Sequence, residues 1–394
     1  MRTVVVGAGE CGARAAITLR EQGCDVTLVG AEVPYERPPL SKAVLTADAE
    51  RATIDVPDVD FVPGVTATEL DLDDHRLTLS NGRNIGYDRL LLATGAVARR
   101  LPGPDGIHHL RTHHDALALR EELTPEARVG VIGGGFIGLE LASSAVARGC
   151  AVTVIEIAPR LMGRAVPEPI AEVMAARHTT AGVDVRCDTG LTRLERSAAG
   201  WRLELTTAGT LTCDVVVAGI GSVPETALAE KAGLAVANGI RVDGLFTTSD
   251  ANVFAAGDCC SFPHPLYDGR RMRLESWRAA RDQGTAAARA MLGGDEQYEV
   301  VPWFWSDQHD LSLQIAGLPD AAVSEVVRLR PDGVDIRFGL GVDGRLLAAS
   351  AVGPGNAVAK DIRLAEMMIA RRAVPDPAAL ADAAVALKTL LRTG

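Results

Sequence analysis

The sequence predicts an α/β protein in which two parallel-sheet domains are followed by a smaller α+β domain. Three observations predict it. Apolar strands alternate with helical stretches as far as about residue 300, the pattern that βαβ units produce. Two glycine fingerprints, Gly7-Ala8-Gly9-Glu10-Cys11-Gly12 and Gly133-Gly134-Gly135-Phe136-Ile137-Gly138, each follow such a strand and open a helix. Beyond Pro302 apolar and polar positions alternate, which is how antiparallel strands with one covered face read. Strand, glycine turn and helix together make a Rossmann-like dinucleotide site, and two of them imply electron traffic between two cofactors.

The first unit opens with the strand Thr3-Val4-Val5-Val6. In its fingerprint Gly7 permits the tight turn, Gly9 lets backbone approach a pyrophosphate, and Gly12 lets helix and strand pack closely. The helix start offers unpaired N–H groups and a positive dipole end to the phosphates. An acid is expected about 20 residues on, where it accepts hydrogen bonds from a ribose. The strand Asp25 to Val29 runs into Gly30-Ala31-Glu32, so Glu32 is the candidate. A loop follows, then the apolar strand Arg89 to Leu92 closing on Ala93-Thr94-Gly95. Leu101-Pro102-Gly103-Pro104 is a breaker-rich connection, and a helical stretch from Asp115 to Leu123 leads into the second unit.

There the strand Val129 to Ile132 feeds the second fingerprint, in which Gly133, Gly135 and Gly138 take the same three roles. The next strand, Cys150 to Ile155, ends on Glu156. A carboxylate at that point repels a 2′-phosphate, which favours NADH over NADPH, although Arg160 nearby leaves the strictness of that preference open. Asp214 to Gly221 is a matching apolar strand, and residues 248–258 hold another that returns the chain to the first sheet. The layout is therefore discontinuous: domain one over 1–113 and 238–305, an inserted domain over 114–237, and a carboxy-terminal domain over 306–394. In the last, Val323 to Leu329, Val334 to Leu340 and Arg345 to Val352 read as strands, Ala359 to Arg372 as a helix, and the alanine-rich tail after Pro377 as a short terminal helix.

Composition narrows the function. The net charge of −11 disfavours a nucleic-acid binder, which needs cations to neutralise phosphates. No apolar run reaches membrane-spanning length and Met1-Arg2-Thr3 runs straight into a strand, so a cytoplasmic enzyme is expected. The seven cysteines form no C-x-x-C pair; they read as small buried hydrophobes, with neither a disulfide relay nor a metal site among them. His108-His109 and His113-His114 have no metal-ligand spacing, and no metal is expected.

Several segments recur in a fixed order: Pro34-Tyr35-Glu36-Arg37-Pro38-Pro39-Leu40-Ser41-Lys42, Ala93-Thr94-Gly95, the second fingerprint through Glu140, Ala256-Gly257-Asp258, Glu275-Ser276-Trp277 and Trp303-Phe304-Trp305-Ser306-Asp307-Gln308. In that order the whole chain resembles the FAD-dependent, NADH-using ferredoxin reductases of bacterial oxygenase systems, whose two nucleotide domains are arranged in a glutathione-reductase-like layout. The resemblance implies that Gly7, Gly9, Glu10, Cys11 and Gly12 hold the FAD pyrophosphate, and that Glu32, Arg37, Val65, Ala93, Thr94, Gly95, Arg111, Gly257 and Asp258 complete the FAD site. It places Lys42 beside the flavin ring, Glu140 near the nicotinamide and paired with Lys42, Trp277 and the Trp303-to-Gln308 segment with Trp305 at the isoalloxazine edge, and Glu275 and Ser276 also in the FAD site. Phe136, Ile137, Glu156 and Gly221 join the second fingerprint glycines around NADH. One departure stands out: the family has its acid directly after the Leu-Val-Gly of the second strand, where this chain has Ala31 and then Glu32.

The activity implied is hydride transfer from NADH to FAD, with Lys42 and Glu140 as the catalytic pair, followed by one-electron delivery to an iron–sulfur ferredoxin of the 2Fe–2S or a similar type. Rubredoxin, a quinone or oxygen as acceptor, or a redox-sensing role, stays open at this point, as does monomer against homodimer. Arg270, Arg271, Arg273, Arg278 and Arg281 surround Trp277 and offer a local basic patch to an acidic ferredoxin, diluted by Asp268, Glu275 and Asp282.

Overall fold

A computed structural model describes residues 1–47, 51–163, 165–198, 200–207 and 209–391. The chain divides into two compact units. The first is Met1–Glu36, Arg51–Val97 and Ser222–Val300; the second is Arg37–Glu50, Ala98–Gly221 and Val301–Gly394.

The first unit is built on a five-stranded parallel sheet in the order Val253–Ala255, Arg89–Leu92, Arg2–Val6, Asp25–Gly30, Asp60–Pro63. Its strands read as continuous apolar runs because both faces are covered: Val5, Leu28, Leu90, Leu91 and Leu92 are all fully buried. Val253 pairs with Leu90, so the chain does return to the first sheet after the second nucleotide unit. The helix Glu10–Glu21 lies against the helix Trp277–Met291. Gly284 sets how close they come, since a Cβ there would sit 2.3 Å from the carbonyl oxygen of Cys11.

The segment read as a loop between the first βαβ unit and Arg89 is in fact structured. It supplies the edge strand Asp60–Pro63 and a three-stranded antiparallel sheet, Ala67–Asp71, Arg76–Leu79 and Asn84–Gly86. Leu70, Leu77, Leu79 and Ile85 turn inward from it. Its strands are only three to five residues long, and the bulge between Ala67 and Glu69 interrupts the period-two pattern that would have revealed them.

The second unit holds a four-stranded parallel sheet in the order Asp184–Arg186, Ala151–Ile155, Arg128–Ile132, Val215–Ala218. A three-stranded antiparallel sheet, Leu191–Ser197, Gly200–Leu205 and Thr210–Cys213, accompanies it. The carboxy-terminal part is a five-stranded antiparallel sheet in the order Trp303–Gln308, Leu311–Gly317, Leu346–Pro354, Asp335–Leu340, Ser324–Leu329, with the helix Ala359–Ala370 packed on it. The helix expected to end at Arg372 stops at Ala370, and Arg372 turns left-handed at φ 54°. The helix expected from Asp115 begins at His113, because Thr112 and Asp115 form a reciprocal capping box. The tail forms two short helices, Pro377–Ala381 and Leu387–Leu390, rather than one; its residues 392–394 lie outside the described residues. Among the described residues no helix is long and apolar enough to cross a membrane.

Candidate active site

The two fingerprints adopt the same local geometry in their separate sheets. Gly7 has φ 109° and Gly133 has φ 106°. A Cβ on Gly7 would meet the Ala93 carbonyl oxygen at 2.2 Å, and one on Gly133 the Gly219 carbonyl oxygen at 2.4 Å. Each turn is therefore pressed against the neighbouring strand's end. A Cβ on Gly12 would lie 1.8 Å from the Gly7 oxygen, and one on Gly138 2.2 Å from the Gly133 oxygen, which is the close helix–strand packing that the third glycine allows.

The middle glycines behave oppositely. A Cβ on Gly9 or Gly135 would meet nothing within 4 Å. Both residues are helix N-caps that supply no side-chain hydrogen bond. The space beside each helix start is thus open, and a glycine at the N-cap leaves it clear. This cradle fits a pyrophosphate, which supplies the acceptors and the negative charge a bare helix start favours.

Around the first cradle the structure gathers Ala93-Thr94-Gly95 against Gly7, and Gly257 against Cys11; a Cβ on Gly257 would be 3.0 Å from that of Cys11. Thr94 donates to the Glu225 carbonyl at 2.6 Å. Glu10 is buried and accepts from Arg14 at 2.9 Å through one carboxylate oxygen, while the other has no hydrogen-bond partner. Glu32, two residues past the strand end, accepts from the Tyr35 hydroxyl at 3.0 Å. Val65 is buried. Glu275 accepts from Ser222 at 2.5 Å and pairs with Arg273. Ser276 caps the helix Trp277–Met291 by accepting from the Ala279 N–H at 3.2 Å, and Arg281 lies 5.5 Å from the centre of the Trp277 ring. Asp258 stands in the turn just after Gly257.

Sequence reasoning missed Gln283 here. It is fully buried, accepts from the Gly257 N–H at 2.8 Å, and keeps an amide nitrogen without a hydrogen-bond partner. A lone amide among alanines on a buried helix face was the available signal.

Arg37, Lys42, Arg111 and Trp305 belong to the second unit, whereas the rest of the implied flavin set belongs to the first. The Arg111 N–H donates to Asp115 at 3.1 Å. Trp305 stacks on Trp303 with ring centres 5.2 Å apart and donates to Asp307 at 3.1 Å.

At the second cradle, Glu156 accepts from the Gly134 N–H at 2.7 Å and the Ala158 N–H at 2.8 Å, which fixes its carboxylate beside the fingerprint. Arg160 is tied instead to the carbonyls of Gly163 at 2.8 Å and Val166 at 3.1 Å. Phe136 packs on Phe304 at 4.3 Å between ring centres, Ile137 is exposed, and Gly221 has φ 99° with open space around it.

Glu140, one turn into the helix Phe136–Ala147, is only 3% exposed. Lys42 Nζ lies 2.6 Å from its Oε2. Ser41 donates to the same oxygen at 2.5 Å, and Ser306 donates to Oε1 at 2.7 Å. The Ser144 hydroxyl, one turn on, donates to the Ser41 carbonyl at 2.7 Å and pins the Lys42 segment to this helix. An ion pair with one buried partner contributes little to stability by itself; its three supporting hydrogen bonds give it a fixed geometry. Ser306 and Ser144 carry no sequence signal for this role, since they meet their partners only through the fold.

All seven cysteines are free thiols. Burial pushes the thiols of Cys11, Cys259 and Cys260 up, and that of Cys213 up to about 11, the opposite of what a redox nucleophile requires. Among the described residues no group of three or more His, Cys, Asp or Glu side chains is arranged to hold a metal. In the arginine cluster, Arg273 pairs with Glu275, Arg278 faces Asp282 at 3.6 Å, and Arg271 donates to the Val242 and Ser261 carbonyls. Arg270, Arg271 and Arg281 are exposed.

Two glycine cradles of this form in one chain define a two-nucleotide oxidoreductase. Residues 1–284 match the pyridine nucleotide-disulphide oxidoreductase family, and residues 303–391 match the reductase C-terminal family. The chain belongs to this oxidoreductase family, with FAD and NADH as its cofactors. It is 42% identical to the ferredoxin–NAD(+) reductase component of the anthranilate 1,2-dioxygenase system of Burkholderia cepacia, over 98% of each chain. It is 38% identical to putidaredoxin reductase of Pseudomonas putida, with 82% of each covered. Among solved structures, the covalent putidaredoxin reductase–putidaredoxin complex superposes with a TM-score of 0.92 at 33% identity, covering 99% of this chain and 98% of that one.

Proposed function

We propose that this chain is an NADH-dependent, FAD-containing reductase that passes electrons to an iron–sulfur ferredoxin, of the 2Fe–2S or a similar type, serving an oxygenase system. The observation that carries this reading is the coincidence of two uncapped glycine cradles with a Lys42–Glu140 pair whose carboxylate is buried, in a chain whose thiols are free and, apart from the half-buried Cys187, buried. FAD, when bound, accepts a hydride from NADH and gives up electrons one at a time, the conversion that a one-electron acceptor requires.

The residues divide the work. Gly7, Gly9 and Gly12 with the helix Glu10–Glu21 hold the FAD pyrophosphate, supported by Ala93, Thr94, Gly95, Gly257 and Asp258. Glu32, Arg37, Val65, Arg111, Glu275 and Ser276 complete that site, and Trp277 and Trp305 line the ring. Gly133, Gly135 and Gly138, with Phe136, Ile137 and Gly221, hold NADH. Glu156 accepts from the ribose and turns away a 2′-phosphate, while Arg160 is occupied by two carbonyls, which supports NADH over NADPH. Lys42 sets an ammonium at the flavin ring, where it favours negative charge, and Glu140 orients that ammonium. In domain terms, 1–113 with 238–305 bind FAD, 114–237 bind NADH, and 306–394 form the carboxy-terminal domain. A cytoplasmic setting supplies NADH and keeps seven thiols reduced. The reading fits a monomer or a homodimer.

The test is anaerobic titration of the purified yellow protein with NADH, followed by mixing with oxidised ferredoxins. NADH should bleach the flavin and an iron–sulfur acceptor should restore it; a variant lacking all seven cysteines should do the same. A folded protein that holds no FAD, or a bound flavin that stays oxidised under excess NADH, would overturn the assignment. Recovery with quinone or oxygen but no ferredoxin would replace the acceptor.

A further inference from the structure

We infer that His178 is a positioning residue for the Lys42–Glu140 pair, acting through Gln308 and Ser306 along a buried hydrogen-bond chain that begins at the His309 ring. This rests on the reading of Lys42 and Glu140 as the flavin-side pair. Each link lies in the second unit. His309 Nε2 and His178 Nδ1 are 3.1 Å apart, and His178 Nε2 is 2.9 Å from Gln308 Oε1. Gln308 Nε2 donates to Ser306 Oγ at 3.0 Å, and Ser306 Oγ donates to Glu140 Oε1 at 2.7 Å.

The chain has one direction. A carboxylate oxygen only accepts, so the Ser306 proton points at Glu140, and Ser306 must accept from the Gln308 amide. The Gln308 carbonyl then requires a proton on His178 Nε2, which leaves His178 Nδ1 to accept from His309 Nε2–H. Burial lowers the pKa of both rings, to about 4 at His309, so each is neutral at pH 7 and has one donor and one acceptor. Every dipole is aimed at Glu140, and aligned hydrogen bonds polarise one another.

Packing alone does not call for these residue types. On the helix Glu168–Thr180, Ile170 and Met174 are buried at a four-residue spacing that makes 178 the next core position, and His178 is 0% exposed. Ser306 and Gln308 are likewise 0% exposed and share one face of the strand Trp303–Gln308. Three consecutive fully buried polar side chains persist only where each finds a partner. The outer end is fixed too: the His309 N–H donates to Ser143 at 2.7 Å, and Arg177 pairs with Asp310 at 2.5 Å on either side of the two rings.

The experiment compares wild-type holoprotein with His178→Phe, His178→Gln, Glu140→Gln and the His178→Phe/Glu140→Gln double variant. It reads the rate of anaerobic flavin bleaching at saturating NADH, the dissociation constant for NAD⁺, and the urea unfolding equilibrium. His178→Phe should slow saturated bleaching by about three- to tenfold while moving NAD⁺ binding less than about twofold. His178→Gln, whose amide can replace the Nε2 donor, should recover most of the rate. In the Glu140→Gln background His178→Phe should add nothing. A folded His178→Phe protein bleached at the wild-type rate, a His178→Gln variant as slow as His178→Phe, or an additive double variant would overturn the inference. If Glu140→Gln leaves bleaching untouched, the flavin-side reading fails instead; the unfolding cycle between 178 and 140 would still report whether the chain couples them.

Discussion

Within each fingerprint the three glycines answer to different constraints, and that difference can be measured. Gly138→Ala would put a methyl group 2.2 Å from the Gly133 carbonyl oxygen, a backbone atom that cannot swing aside. Overpacking of this kind costs about 1–3 kcal/mol, so urea unfolding should show a lower midpoint with an unchanged slope. Gly135→Ala meets nothing within 4 Å. Its stability should change by less than about 1 kcal/mol, while NADH binding weakens at least several-fold because the methyl group fills the cradle. Equal stability losses in the two variants would show that the open space is not there for a ligand. Residues of this sort are legible in a sequence because their constraint is local: a turn, a strand before it, a helix after it. Glu156 was legible for the same reason. Gln283, Ser306 and Ser144 were not, since nothing near them in sequence announces partners that arrive through tertiary packing.

Secondary elements were legible where their apolar pattern was clear, as continuous runs in the parallel strands and Leu346–Pro354 and as alternation in Asp335–Leu340. The sheet within residues 67–86 escaped because short strands carry too few repeats to show a period. The contact between the helix Glu168–Thr180 and the turn after the strand Trp303–Gln308 carries its own pH dependence. Burial, His178 and Arg177 hold the His309 pKa down to about 4, against a weak opposing effect of Asp310; burial lowers that of His178 as well. Unfolded histidine titrates near 6.5. Between those values the unfolded chain binds more protons than the folded one, so stability rises with pH there. It is fully present above about pH 6.5 and is lost as pH falls toward 4. The His309 ring is partly exposed, and solvent screening reduces its share to on the order of 1–2 kcal/mol. Urea midpoints for wild type should therefore drop between pH 7 and pH 5, and the drop should be shallower in His309→Gln. Parallel curves for the two proteins would show that this ring does not feel its burial.

For the molecule as a whole, charge sets how a ferredoxin finds it. The net charge is −11, yet Arg270 and Arg281 are exposed, and the Arg281 guanidinium lies 5.5 Å from the centre of the Trp277 ring. The two fields differ in range. At about 0.01 M salt the screening length is about 30 Å, so an acidic partner feels the whole negative molecule; at about 0.1 M it is about 10 Å, and the local arginines act alone. With an acidic ferredoxin, the second-order reduction rate should rise as salt increases from the lowest values, pass a maximum, and fall once the patch itself is screened. Arg270→Glu/Arg281→Glu should remove the falling limb and slow ferredoxin reduction several-fold near 0.1 M salt, while ferricyanide reduction changes little. Arg271 is the wrong target, because its guanidinium holds the Val242 and Ser261 carbonyls and its reversal would damage the fold. A rate that only climbs with salt in both proteins would mean that the net charge governs the encounter and that docking uses another face.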